Sequence, residues 1–320
     1  MSAPVERLLE AHPDVAAAWY PVLARAAGRA LSVPGLDRWS PLARRVHAVA
    51  QPAGWTTVVD EPRRSPPTAV EQLTVLSANL WHDWPRQHRW TKRLEAVAQL
   101  VEAEGVDLLL LQEVARTPEL KADLWLADRL GLSLAYARAN GATDAIGFEE
   151  GVAVLSRFPI AEIHLRQLGR TRNPLTRRVA LAAELATPLG RLLAVTVHLG
   201  LLRHRNAQQL RALRAWVAQL SAGAVAVVGG DFNATEGRAE IELTRRTWTD
   251  TFRHAHPHAD ASTYASAAPW RRWSSPRRLD YVFVQQPPTL HWRVLGAGHV
   301  DAPGGPHSDH RAVLARLLPT

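Results

Sequence analysis

The run Leu108 to Leu111 most constrains what this chain can fold into. Four consecutive leucines fit neither the single apolar stripe of a surface helix nor a strand with one wet face. Bounded by Asp107 and by the polar pair Gln112 and Glu113, the stretch Asp107 to Val114 reads as a strand buried on both faces. Such a sheet needs a covering layer on each side, and the surrounding sequence supplies candidates. "LTVLSAN" (Leu73 to Asn79) reads as a strand, "RWTKRLEAVAQLVEAEG" as a helix ended by Gly105, and "TPELKADLWLADRLG" as a helix opened by Thr117 and Pro118 and closed by Gly131. "GVAVLSR", "IAEIHLRQL", "RVALAAEL" and "RLLAVTVHL" are consecutive strands. The helix "NAQQLRALRAWVAQL" and the strands "AVAVV", "RLDYVFV", "HWRVLGAG" and "RAVLARL" follow. Strand runs interspersed with helices predict α/β or α+β layers in which helices cover sheet faces.

The first seventy residues have a different texture, rich in Ala, Arg and Pro. Residues 1–50 read as a helical extension, with Ser40 and Pro41 opening one helix and Pro52 stopping it. Residues 51–70, carrying Pro62, Pro66 and Pro67, read as a Pro-rich linker, and 71–320 as the catalytic domain. At 320 residues and 47% hydrophobic, one large layered domain plus an extension fits the length. With no cysteine, disulfides and thiolate metal sites are excluded, so any metal rests on carboxylate, amide or imidazole. The start lacks a basic cluster followed by an apolar core, and no apolar run is long enough to span a bilayer. A soluble cytoplasmic protein is therefore expected. Net charge is +8, and among 38 basic residues only Lys92 and Lys121 are lysine. That balance suits a phosphate-bearing polyanion, though an arginine-rich genome would also produce it.

Polar residues cluster where apolar runs stop: Asn79, Glu113, His198, and Asp231 with Asn233. Strand ends are where a rigid sheet presents chemistry at one rim. A carboxylate directly behind four leucines is costly to bury without a positive partner, and a hard divalent cation is the economical one. In "GGDFNA" the glycines suggest a tight turn, and Asp231 and Asn233, two apart, can face one side of an extended segment.

In order along the chain, "LSANLW", "LLLLQEV", "EEGVAVLSR", "VTVHLG", "VGGDFNA", "RRLDYVFV" and "PHSDHRAV" resemble the successive motifs of the endonuclease/exonuclease/phosphatase superfamily. The resemblance spans about Leu73 to Leu318. It implies a four-layer α-β-β-α sandwich of two mixed sheets flanked by helices, with the site at one rim. It implies that Glu113 is the principal Mg2+ ligand, with Asn79 and Asp309 close to the same ion and Mn2+ a possible substitute. His310 corresponds to the catalytic histidine, oriented by Asp280. Asp231 and Asn233 correspond to the residues that orient the attacking water and the scissile phosphate. His198 corresponds to a donor to a phosphoryl or leaving oxygen, and Glu150 to the carboxylate supporting it. Arg178, rather than its neighbour Arg177, matches a site-facing arginine. His307 reads as a loop residue near the mouth, and His82 with Asp83 as a solvated loop beside Asn79.

The implied activity is metal-dependent hydrolysis of a phosphodiester by in-line attack of water. Nucleic acid is the substrate favoured by the charge and by "PWRRWSSPRR", where Trp270 and Trp273 are interleaved with Arg271, Arg272, Arg277 and Arg278. A sphingomyelinase-like lipid phosphodiesterase or a small-molecule phosphatase is the alternative, with the same Trp/Arg segment then at a membrane interface. A non-catalytic binding module is the reading of another class, and the intact motif set argues against it. No obligate protein partner is implied. Abasic-site specificity is disfavoured, because "NLWHD" lacks the N-x-[DN]-G opening and His198 stands where those enzymes resemble one another in a tyrosine. The alternating His254, His256 and His258 read as a plain loop.

Overall fold

The computed structural model describes residues 48, 54–59, 66–84, 86–169, 177–264, 276–287 and 289–319. Apart from the helical Ala48, the extension expected over 1–50 lies outside them, as do Trp270, Arg271, Arg272 and Trp273.

Thirteen strands build two sheets among the described residues. The first sheet has the order β1-β4-β5-β3-β2-β13-β12 and the second β10-β11-β9-β8-β7-β6. In the first, β1 is Gly54–Val59, β2 Leu73–Asn79, β3 Leu108–Arg116, β4 Ser133–Ala142, β5 Phe148–Ser156, β12 Trp292–Val300 and β13 Ala312–Pro319. In the second, β6 is Ile160–Gln167, β7 Val179–Thr187, β8 Gly190–His198, β9 Val225–Asp231, β10 Thr249–Asp250 and β11 Asp280–Gln285. Among the described residues from 66 onward the helices are α1 Trp90–Glu104, α2 Ala122–Leu130, α3 Thr143–Ile146, α4 Arg203–Leu220, α5 Ala239–Arg245 and α6 Thr251–Ala255.

The leucine run shows why the layers form. Side chains alternate across a strand. Leu108 and Leu110 therefore enter the core between the sheets, where they meet Val225, Val227 and Val282. Leu109 and Leu111 point outward and meet Leu94, Val97 and Val101 of α1 and Leu126 of α2. A third apolar layer lies behind the second sheet, where Leu210, Leu213, Trp216 and Val217 of α4 cover Ala226 and Val228. The expected four-layer α-β-β-α sandwich is what forms. No helix among the described residues is long and apolar enough to cross a membrane.

Both sheets are mixed, and each contains one parallel pair. β2 runs parallel to β3, with α1 between them in sequence, and β8 parallel to β9, with α4 between them. All other pairings are antiparallel. Each parallel pair needs its crossover helix, and the ends of β2 and β9 meet on one side of the sandwich, where Asn79 Nδ2 donates to Asp231 Oδ2.

Three expectations are corrected. Residues 54–59 are not linker: they form β1, paired with β4 from Gly54↔Arg138 to Val59↔Leu134, because the prolines at 62, 66 and 67 leave that stretch free to be extended. The helix expected to open at Thr117 begins only at Ala122, since the backbone N–H of Thr117 closes a turn onto Leu120 O at 2.8 Å. Gly229 and Gly230 do not make a turn but lie inside β9, opposite Val282 and Tyr281. Close approach explains them: a Cβ on Gly229 would meet Leu110 Cδ1 of the facing sheet at 2.7 Å, and one on Gly230 would meet Val197 O at 2.0 Å.

Candidate active site

The two parallel pairs end side by side and deliver the polar residues. His198 and Asp231 are direct register partners at the ends of β8 and β9, and Asp280 at the start of β11 pairs with Asp231. Asn79, at the end of β2, is opposite Gln112 on β3. Glu113 follows within a bulge, where the register shifts between Leu111 and Val114 and Glu113 takes φ 50°. The extra residue releases Glu113 from the pleat and re-aims its carboxylate to the rim.

Asn79 ties the sheets together. Its Nδ2 donates to Glu113 Oε1 and to Asp231 Oδ2, both at 3.2 Å, while its Oδ1 accepts from the backbone of Trp81 at 2.9 Å. Around Asp231, His198 Nε2 lies 3.5 Å and His310 Nε2 4.0 Å from Oδ2. His310 Nδ1 is 2.8 Å from Asp280 Oδ2, which also accepts from Thr263 Oγ1 at 2.6 Å. The Nδ1 contact fixes the ring so that Nε2 faces Asp231. Asp231, Asp280 and His310 offer donor atoms all within 4.8 Å of one another.

The charges follow from that crowding. Burial works against ionised Glu113, yet His82, His198, the Asn79 amide and His310 outweigh it and hold the carboxyl down at about 2. Burial and then the charge of Asp280, directly across the ladder, push Asp231 up despite His310 beside it. His310 goes the other way: burial disfavours its charge, but Asp280, Asp231 and Asp309 together raise it. His198 is driven well below the usual imidazole range by burial and then by Arg178. The two buried imidazoles are thus pushed opposite ways, His310 toward the cation and His198 toward the neutral form.

Glu113 and Asp309 present hard oxygen donors, while Asn79 turns its Nδ2 to Glu113 and gives its Oδ1 to the backbone of Trp81. Asp309 is raised by burial and by the charge of Glu113, so the two carboxylates share one poorly solvated pocket. That arrangement fits a divalent cation with oxygen preference. Nδ1 of His310, by contrast, is already committed to Asp280.

Other sequence-derived roles are revised. Glu150 does not reach His198: β4 and β5 pair Asn140 with Glu150, and the Asn140 amide donates to that carboxylate. Asn140 also clasps Arg177, accepting from its N–H at 2.8 Å and donating to its carbonyl at 3.2 Å. Arg177 is thereby buried, and Arg178 is left as the cation acting on both Glu150 and His198. Asn233 does not continue an extended segment. It has φ 48°, its N–H donates to Asp231 Oδ1 at 2.9 Å in an Asx turn, and its amide binds Leu199 O at 2.9 Å. Arg278 is no surface cation, because it is buried on Asp250 and Glu236 at 2.7 to 2.9 Å. His307 is no loop residue at the mouth but is 1% exposed, with neither ring nitrogen hydrogen-bonded among the described residues. His254, His256 and His258 are exposed and enter no metal-binding group among the described residues.

Sequence reasoning passed over three residues of the site. His82 does reach it: its N–H donates to Glu113 Oε2 at 3.2 Å, its Nε2 lies 3.6 Å from the same oxygen, and its ring rests 5.2 Å from Phe148. Asn140 and Thr263 hold Glu150 and Asp280. Adjacency to Asn79 was the one available signal for His82; Asn140 and Thr263 carry none until the strands are paired.

The sequence model of the endonuclease/exonuclease/phosphatase family matches residues 76–310. An uncharacterised protein of Escherichia coli K12, YbhP, is 31% identical over 206 residues, covering 60% of this chain and 77% of that protein. Among solved structures, a mannosyl-6-phosphatase from Bacteroides thetaiotaomicron superposes with a TM-score of 0.61 at 20% identity, over 77% of this chain and 99% of that one. D. rerio TDP2 complexed with a single-strand DNA product does so with a TM-score of 0.61 at 16% identity, over 78% and 99%. At these identities the structural likeness is one of fold.

Proposed function

The chain belongs to the endonuclease/exonuclease/phosphatase family, whose members are metal-dependent phosphoesterases, and from that premise we propose that it hydrolyses phosphodiesters by in-line attack of water. The observation that carries the reading is the Asn79 amide. It holds Glu113, on the metal side, and Asp231, on the water side, at 3.2 Å each. Glu113 and Asp309, with Asn79 beside them, would hold a divalent ion, Mg2+ by preference and Mn2+ as substitute, which when bound would supply charge neutralisation to the phosphoryl oxygens. Asp231, whose ionised carboxylate is made more basic by burial and by Asp280, is the group suited to take the proton from water. The cationic His310, its Nδ1 on Asp280, donates from Nε2 to a phosphoryl oxygen. Neutral His198 contributes a second imidazole beside the same phosphate. As the P–O bond to the ester oxygen breaks, that oxygen takes a proton from an imidazole.

DNA is the substrate this reading favours: the net charge of +8 suits a polyanion, and TDP2, of the same fold, has been captured with a DNA product. A second reading, a lipid-headgroup phosphodiesterase, is favoured by two leucines standing in solvent just beyond His198. Incubating the purified chain with Mg2+ or with EDTA tests the reaction. The substrates are plasmid, single-stranded oligonucleotide, phospholipid vesicles and bis(p-nitrophenyl) phosphate. Metal-dependent release from at least one of them is expected; no hydrolysis of any, or hydrolysis indifferent to EDTA, refutes the proposal.

A further inference from the structure

The segment leaving His198 is rigid yet ends in exposed apolar side chains. Leu199 N–H donates to Asp231 O at 2.9 Å, Gly200 N–H to Gln209 Oε1 at 2.8 Å, and Asn206 Nδ2 to Gly200 O at 2.8 Å and Phe232 O at 2.7 Å. On this fixed base Leu201 is 73% and Leu202 55% exposed, the two most exposed large apolar residues among those described. Single exposed leucines are ordinary, but an adjacent pair held out by a pinned backbone next to an active site is not.

Leu202 caps α4, and that helix supplies the second observation. Over its 18 residues it carries Arg203, Arg205, Arg211 and Arg214 and no Asp or Glu. Arg203, His204, Arg205 and Arg211 are exposed, and none of the four arginines forms an ion pair among the described residues. Its apolar face is already spent on the second sheet through Leu210, Leu213, Trp216 and Val217. The outward face therefore carries positive charge with no carboxylate to offset it, among neutral residues such as Gln208 and Gln219, and the positive end of the helix dipole lies at the leucine tip. Arginines alone would suit any polyanion. Two leucines at their head suit an anionic phase with an apolar interior, because the side chains can leave water while the guanidinium groups remain at headgroup depth.

We infer that Leu201 and Leu202, with the cationic face of α4, dock this chain on an anionic phospholipid bilayer and so present its active-site rim to phosphodiesters at the membrane surface. The second half of that statement rests on the phosphodiesterase reading of the site; the docking does not.

The test uses the full chain in flotation with vesicles of phosphatidylcholine containing phosphatidylglycerol, and with phosphatidylcholine alone. Binding is expected only to the anionic vesicles. It should fall roughly tenfold or more in a Leu201→Ser/Leu202→Ser double variant and fall with added salt. Hydrolysis of bis(p-nitrophenyl) phosphate is read in parallel and should be the same in wild type and variant, since neither leucine is in the catalytic group. A double variant that floats as well as wild type overturns the inference. So does a wild type that ignores anionic vesicles but binds oligonucleotide through these residues. Vesicle binding without any hydrolysis of the soluble diester would leave docking standing and remove the reading of the site.

Discussion

Glu236→Gln offers a quantitative test of how the start of β11, and with it Asp280, is held in place. Glu236 accepts from Arg253 Nε and Nη2 and from Arg278 Nη1, each at 2.7 Å, while Arg278 also grips Asp250 at 2.7 and 2.9 Å. Burial raises the Glu236 carboxyl, but the two guanidinium groups overcome it and hold the group at about 2 against an ordinary 4.5. A difference of about 2.5 units at ~1.4 kcal/mol each gives roughly 3 kcal/mol of stability from the ionised form. Because the folded value is the depressed one, this contribution is fully present above the ordinary value and is lost as pH falls toward the folded one. By pH of about 3.5 the wild type should have lost ~1.4 kcal/mol that the Gln variant does not lose. Urea unfolding of both proteins from neutral pH downward measures the difference directly. A gap between them that is under about 1 kcal/mol at neutral pH, or that stays constant on acidification, refutes the reasoning.

Replacing His310 or Asp231 with Ala should cost about 10² to 10⁴ in rate while circular dichroism and melting show a folded protein; near wild-type hydrolysis would remove both from the chemistry. Asp280→Asn should also slow hydrolysis, because Nδ1 of His310 loses the carboxylate 2.8 Å away, and the loss should appear in kcat more than in KM. Glu113→Gln should weaken Mn2+ binding, followed by calorimetry, by more than the roughly 10- to 100-fold typical of an outer partner, and unchanged affinity would place the ion elsewhere. Gly230→Ala should destabilise by at least ~1–3 kcal/mol, since the new Cβ would lie 2.0 Å from Val197 O; a melting temperature like wild type would contradict that contact.

What could be read from the sequence was whatever burial writes into composition. Leu108 to Leu111 had to be covered on both sides, and the polar residues terminating four such runs had to gather at one rim. Strand β4 was missed because "SLAYARANGA" is rich in alanine and small residues, and only its neighbours β1 and β5 make it a strand. The role of Glu150 went astray for the same reason. Its partner Asn140 lies ten residues away, and only the register brings them together. Arg278 looked like part of a basic surface patch, but the charges that bury it, Asp250 and Glu236, are 28 and 42 residues distant. Local pattern reports how much a residue wishes to leave water. It does not report which partner lets it do so.

The bond from Asn79 to Asp231 spans 152 residues and joins strands of different sheets. One sheet contributes Asn79 and Glu113, the other His198, Asp231 and Asp280. Neither half is a weaker enzyme; it is none at all. Recovery of turnover during refolding is therefore a clock for the moment the two sheets dock, later than any signal from the secondary structure of either, and destabilising the interface between them should extinguish activity before it melts a strand.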